Sequence, residues 1–226
     1  MPDIGRFFNV DPLSEKYAYQ SHYSFSENRV VDARELEGLE KVLFQGALKN
    51  DRLFNRAYEA QRLTTKGKEF SQNLKSQSKY NVLYAPFTKG MANAWTITNK
   101  NQKEFEENID RYGLYIKKDD YNLVSDNGEK DVLIIAVSFN TKKKRDNINN
   151  KEAFELAGSI GHEEVAHGNN ALLGKSKSAN KEHKDFQGKE SIYSPSKEDV
   201  LTKEEYKGTE ARQLFIELLK ILNEKK

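Results

Sequence analysis

No cysteine occurs among the 226 residues. Disulfides and thiolate metal ligands are excluded together, so any metal has to be held by histidine or carboxylate. No apolar run approaches the ~20 residues that span a bilayer, so no membrane partner is expected. The opening MPDIGRFFNV lacks the charged and apolar regions of a signal peptide. Export is therefore expected to be carried by a larger protein of which this chain is part. A surplus of one charge is also missing: 37 Lys and Arg stand against 35 Asp and Glu, a net +2, which does not suggest a dedicated nucleic-acid or membrane binder. The 36% hydrophobic content suffices for one medium domain, or a small one plus an appendage.

Histidine is scarce too, with four in the chain, and two of them fall in SIGHEEVAHGNN from Ser159 to Asn170. Without one Glu the core would read His-Glu-Val-Ala-His, the HExxH of zinc peptidases, and the flanking Gly161 and Gly168 resemble the GHExxHG runs of many zincins. As it stands, His162 and His167 are five apart. On an ideal α-helix a four-residue spacing turns ~40° about the axis and a five-residue spacing ~140°, so two imidazoles five apart cannot share one zinc ion. Two arrangements resolve this. A π-bulge, with i→i+5 bonding between roughly Gly161 and His167, returns both rings to one face and leaves Glu163 beside the metal as general base. Alternatively the helix stays regular and Glu163 pairs with His167, four apart. The π-bulge is the expectation, and on it the deletion of Glu164 should leave zinc binding intact.

The first forty residues differ in composition from the rest. They hold four basic and eight acidic residues, a net −4, whereas the remainder holds 33 and 27, a net +6. Aromatics crowd this stretch, and its pattern reads as short strands and turns. GRFFNVDPLSEKYAYQSHYSFSENRVVDARELEGLE resembles the end of the core of Rhs/YD-repeat proteins through Arg6, Phe7, Asp11, Pro12, Leu13, Tyr17, Tyr23, Asn28, Gly38 and Leu39. The resemblance implies a remnant of a β-shell over residues 1–40, followed by a polymorphic-toxin cargo over 41–226, usually an enzyme. Many such cores release the cargo after a second Asp-Pro-x-Gly-Leu. Here that segment is ELEGL, with Glu35 in place of the aspartate, so self-cleavage is not implied.

The cargo reads as α+β. Residues 41 to about 75 have helical spacing, with a break near Thr64–Gly67. YNVLYAPF reads as a strand ended by Pro86, and residues 102–112 as a solvated helix. GLYIKKDDYNLV and DVLIIAVSF read as two strands joined by a turn at Asn127-Gly128. Lys142–Arg145 lies in a polar loop. The motif helix starts near Asn149, which caps the amide of Glu152, and buries Phe154, Ala157, Ile160 and Val165. After a break at Gly208, KGTEARQLFIELLKIL forms an amphipathic helix with Leu214, Leu218 and Leu222 on one face.

A zinc site needs a third protein ligand and an open position. The last helix resembles the second helix of glutamate zincins, which implies Glu210 as that ligand. His183 is the competitor, in a Lys- and Ser-rich stretch that reads as a mobile loop, and Glu205 and Glu217 are expected to face solvent. The expectation is an Rhs-type secreted toxin carrying a zincin-like metallopeptidase, with a small sheet, an active-site helix and a C-terminal helix. His162, His167 and Glu210 would hold Zn2+ and Glu163 would be the catalytic base. The strand Asp131–Phe139 would offer its edge to an extended protein substrate. The other expected partners are a cognate immunity protein and the remaining Rhs shell of the parent chain, with delivery into a target cell and no nucleic acid. The alternatives are a metal-dependent nuclease using His162, His167 and Asn169 with the basic loop, and a non-catalytic binding cargo.

Overall fold

Two near-continuous apolar runs organise the molecule. YNVLYAPF forms β3 (Tyr80–Phe87) and DVLIIAVS forms β5 (Asp131–Ser138). They pair in parallel along their whole length, from Tyr80↔Asp131 to Phe87↔Ser138. Strands apolar at successive positions belong where both faces of a sheet are covered, and these two are central. The computed structural model of the chain describes residues 33–35, 41–45, 48–87, 94–99, 102–114, 116, 121–122, 125, 128–138, 148–175, 178–191 and 193–224. Most of the Rhs-like segment, Asn127 and the basic run 142–145 lie outside the described residues.

The sheet order is β1-β2-β3-β5-β4, with β1 (Ala33–Glu35), β2 (Lys41–Phe44) and β4 (Ala94–Asn99) completing it. The inner strands β2, β3 and β5 run parallel, and among the described residues β1 and β4 are antiparallel edges. Alternate side chains divide the core into two layers. Val82, Tyr84, Leu133, Ile135 and Val137 face the larger cluster, built with most of the helices, and Leu83, Ala85, Phe87, Val132, Ile134 and Ala136 face a smaller one containing Phe105 and Tyr121. The architecture is a small α+β domain.

Several expectations are corrected. Residues 41–44 are a strand, because Val42 and Phe44 pack into the sheet core beside β3. The helical pattern holds from α1 (Arg52–Leu63) and α2 (Thr65–Lys75), with the break at Thr64, whose side chain caps α2 at Gly67 N. Pro86 does not end β3. Gln45 N donates to Tyr84 O, so alternate backbone groups of β3 face β2. Position 86 falls where β2 has already ended, and its missing N–H breaks no ladder bond there. Among the described residues of the expected partner strand none pairs with β5: Leu114 makes an isolated bridge to Phe87, and Tyr121 and Asn122 lie in a helical turn. The partner on that side is β4, which has the alternating strand pattern Trp95-Thr96-Ile97-Thr98 in the sequence. β5 is thus paired on both sides and has no free edge.

The expected helix α3 (Gln102–Tyr112) is present. The motif helix runs as α4 (Asn150–His162), a π-helical segment Glu163–Gly168, and α5 (Asn169–Leu172). Asn149 caps α4 through Lys151 N rather than the amide of Glu152, and Phe154, Ala157, Ile160 and Val165 are buried as expected. Three α-helices follow among the described residues: α6 (Ala179–Gln187), α7 (Lys197–Thr202) and α8 (Glu210–Glu224). The leucine face of α8, Leu214, Leu218 and Leu222, is in the core.

Candidate metal centre

The five-residue spacing is absorbed by the π-helical segment Glu163–Gly168, as the i→i+5 expectation required; its capping amide, Asn169 N, donates to Glu164 O five residues back. His162 and His167 are thereby brought to one face, with ring centroids 5.3 Å apart. Gly168 does not terminate the helix, which continues to Leu172 and is followed by Gly174 with φ +64. The two motif glycines are there for close approach. A Cβ on Gly161 would lie 2.7 Å from Leu214 Cδ2 and 2.9 Å from Gln61 Oε1, and one on Gly168 2.8 Å from the Phe70 ring. Overpacking of this kind costs ~1–3 kcal/mol, against ~1 kcal/mol gained from helix propensity. Gly161→Ala is therefore expected to lower unfolding stability by about 1 kcal/mol in a denaturant titration; an unchanged midpoint would show that α1 and α8 have room to move.

The third histidine comes from α6. The ring centroid of His183 is 5.1 Å from His162 and 5.0 Å from His167, so the three imidazoles form a nearly equilateral triangle. Their ligand nitrogens all lie within 4.8 Å of one another. Neither ring nitrogen of His183, buried at 5% exposure, makes a well-aligned hydrogen bond, although the Ser191 backbone lies near the ring. Buried polar atoms are ordinarily satisfied, and a metal ion would satisfy one of the two. The cluster could bind a metal ion, and the donor set of three imidazoles suits a borderline cation.

The structure brings His183, and not the expected Glu210, to the two motif histidines. Glu210, at the start of α8, is turned to the Lys66 ammonium of α2 in an ion pair. The helix matched the expected pattern, but its packing on α2 sends the carboxylate elsewhere. The Lys- and Ser-rich stretch read as a loop is a helix, with Glu182, His183, Phe186 and Gln187 forming a buried stripe at helical spacing. Phe186 stands edge-on to His162 at 5.1 Å. Asn169 is occupied by Asn73, whose Nδ2 donates to its Oδ1 at 3.0 Å. Glu205 is exposed and pairs with Lys189, whereas Glu217 accepts from Thr65 N at 2.6 Å and is not simply solvated.

Residues outside the expected set complete the surroundings. Glu182 Oε2 lies 2.6 Å from His167 Nδ1, which assigns the proton to Nδ1 and leaves the Nε2 lone pair for a ligand role. Burial works against the charged His167 ring, but the Glu182 hydrogen bond and the charges of Glu163 and Glu182 outweigh it and raise its pKa. Burial drives His162 well below its ordinary value, helped by His167, His183 and Lys197. His183 is also lowered, first by burial and then by His167, against weaker opposition from the Ser191 backbone and Glu182. Ser194 Oγ is 3.4 Å from His162 Nε2.

Glu163 is buried beside the triangle, and Thr96 of β4 donates to its Oε2 at 2.7 Å. Burial raises its carboxyl pKa, with His167 and Thr96 pulling the other way. A raised carboxyl between three imidazoles and an edge strand is a group fit to take and return a proton. The chain was compared with family models, with curated proteins and with solved structures, and none of them matches it.

Proposed function

We propose that this domain is a zinc-dependent endopeptidase, carried as the C-terminal cargo of an Rhs-type toxin and delivered into a recipient cell inside a larger exported protein. The observation that carries the reading is the buried His162–His167–His183 triangle with the Glu163 carboxylate on the same π turn. The Rhs part rests on the sequence resemblance of the first forty residues. An immunity protein that protects the producer follows from the same resemblance.

His162, His167 and His183 would hold a zinc ion, which would supply Lewis acidity toward the scissile carbonyl and toward water. Glu182 keeps the His167 ring oriented through Nδ1. The Glu163 carboxylate takes a proton from the attacking water and passes it to the leaving amine nitrogen. The water oxygen becomes part of the new carboxylate as the C–N bond breaks. Thr96 holds Glu163 Oε2 and leaves Oε1 for the water. Because β5 is paired on both sides, substrate alignment moves to β4, the edge strand that already reaches Glu163 through Thr96. An extended peptide would add to its outer side by main-chain hydrogen bonds.

Metal analysis of the purified protein is expected to find about one zinc per chain, as a set of three protein ligands with one open position implies. In parallel incubations casein should be cut and DNA left intact, and a chelator should stop the cleavage. DNA degradation without casein cleavage would select the nuclease reading. A metal-free protein that binds a target without cutting it would select the binding cargo.

A further inference from the structure

The residue that makes the spacing five is not a surface insertion. The Glu164 side chain has 0% exposure, on the side of the helix turned toward α1 and β3. Its Oε1 accepts from Tyr84 OH at 2.5 Å, and its Oε2 accepts from Gln61 Nε2 at 3.1 Å and forms an ion pair with Arg62. Arg62 is held in turn: Nη1 donates to Ser71 Oγ at 3.1 Å, and the guanidinium lies over the rings of Tyr58 and Phe70. A buried carboxylate is tolerated only when paired and hydrogen-bonded, so this network admits one position of residue 164 along the helix. Next to it, Glu163 faces Thr96, and two residues before it, His162 faces His167 and His183.

We infer that the Glu164 carboxylate is the positioning group that holds the π turn in register with the three imidazoles. The inference rests on reading those imidazoles as metal ligands, and it reverses the expectation for the deletion of Glu164. The deletion restores the four-residue spacing but leaves Tyr84, Gln61 and Arg62 without their shared acceptor. The restored HExxH is therefore a weaker metal site than the native sequence.

Co2+ serves as the probe because its visible absorption reports ligand geometry separately from any peptidase activity. Glu164→Gln combined with Arg62→Met removes both buried charges together while keeping the bulk, which costs far less stability than removing one of them. Tyr84→Phe removes a single hydrogen bond. With circular dichroism as the check on folding, the double variant is expected to bind Co2+ roughly tenfold or more weakly with shifted visible bands, the range set by loss of an outer-shell partner. Tyr84→Phe is expected to shift the bands in the same direction with roughly threefold weaker binding, less than such a full loss. A folded double variant with wild-type spectrum and affinity overturns the inference. If that variant does not fold, an unchanged Tyr84→Phe does so. A wild-type protein that binds neither Co2+ nor Zn2+ overturns the metal-site reading and this inference with it, whereas wild-type binding with indifferent variants overturns this inference alone.

Discussion

Glu163→Gln is expected to keep the bound metal and lose peptide hydrolysis by roughly 10²–10⁴-fold, the usual contribution of a positioned general base. The amide has the size of the carboxylate, and its oxygen can still accept from Thr96 Oγ1, which donates at 2.7 Å in the native protein. What it lacks is the capacity to accept a proton from water and return it. The loss should appear in kcat with little change in KM, since Glu163 holds no part of the substrate in the ground state. The same substitution should not destabilise the metal-free protein at pH 7. Burial raises the Glu163 carboxyl pKa, so its contribution to folding is present at low pH and is lost as pH rises through the raised value. A neutral amide removes that loss. A variant that cleaves casein at the wild-type rate would take Glu163 out of the reaction.

His183→Ala is expected to weaken zinc by on the order of 10²-fold or more, beyond the ~10–100-fold cost of a lost outer-shell partner. Two imidazoles would remain, and the cavity left by the third would be open to water. Glu210→Ala should leave zinc affinity within about twofold, far below that outer-shell cost, because its carboxylate is engaged with Lys66 of α2. With Glu210 42% exposed, the pair contributes no more than about 1 kcal/mol to stability. Titration of both apo variants with zinc against a chromophoric chelator measures the contrast. The reverse pattern, with Glu210 essential and His183 dispensable, would mean that α8 rather than α6 completes the site.

The sequence was most informative where the physics is local. The five-residue spacing of His162 and His167 demanded either a π turn or separated rings, because rotation per residue is set by backbone hydrogen bonding. The buried stripe Phe154, Ala157, Ile160 and Val165 followed from the same periodicity, and Asn149 was legible as the cap although it takes Lys151 N. The leucine face of α8 did as well. Its docking did not, since an amphipathic pattern says which face is buried and not which side chain at its end meets a metal. That is why Glu210 matched a motif and went to Lys66, while His183 lay in a charged stretch whose narrow stripe is meaningful only once α6 is folded against the π segment. β5 had the composition of a central strand, but its loss of both edges depended on β3 and on β4, whose pairing is non-local. Glu164 is the sharpest case. In the sequence it is one polar letter too many in a short motif. Only the arrival of Tyr84, Gln61 and Arg62, each more than 75 positions away along the chain, turns it into a buried, fully paired carboxylate.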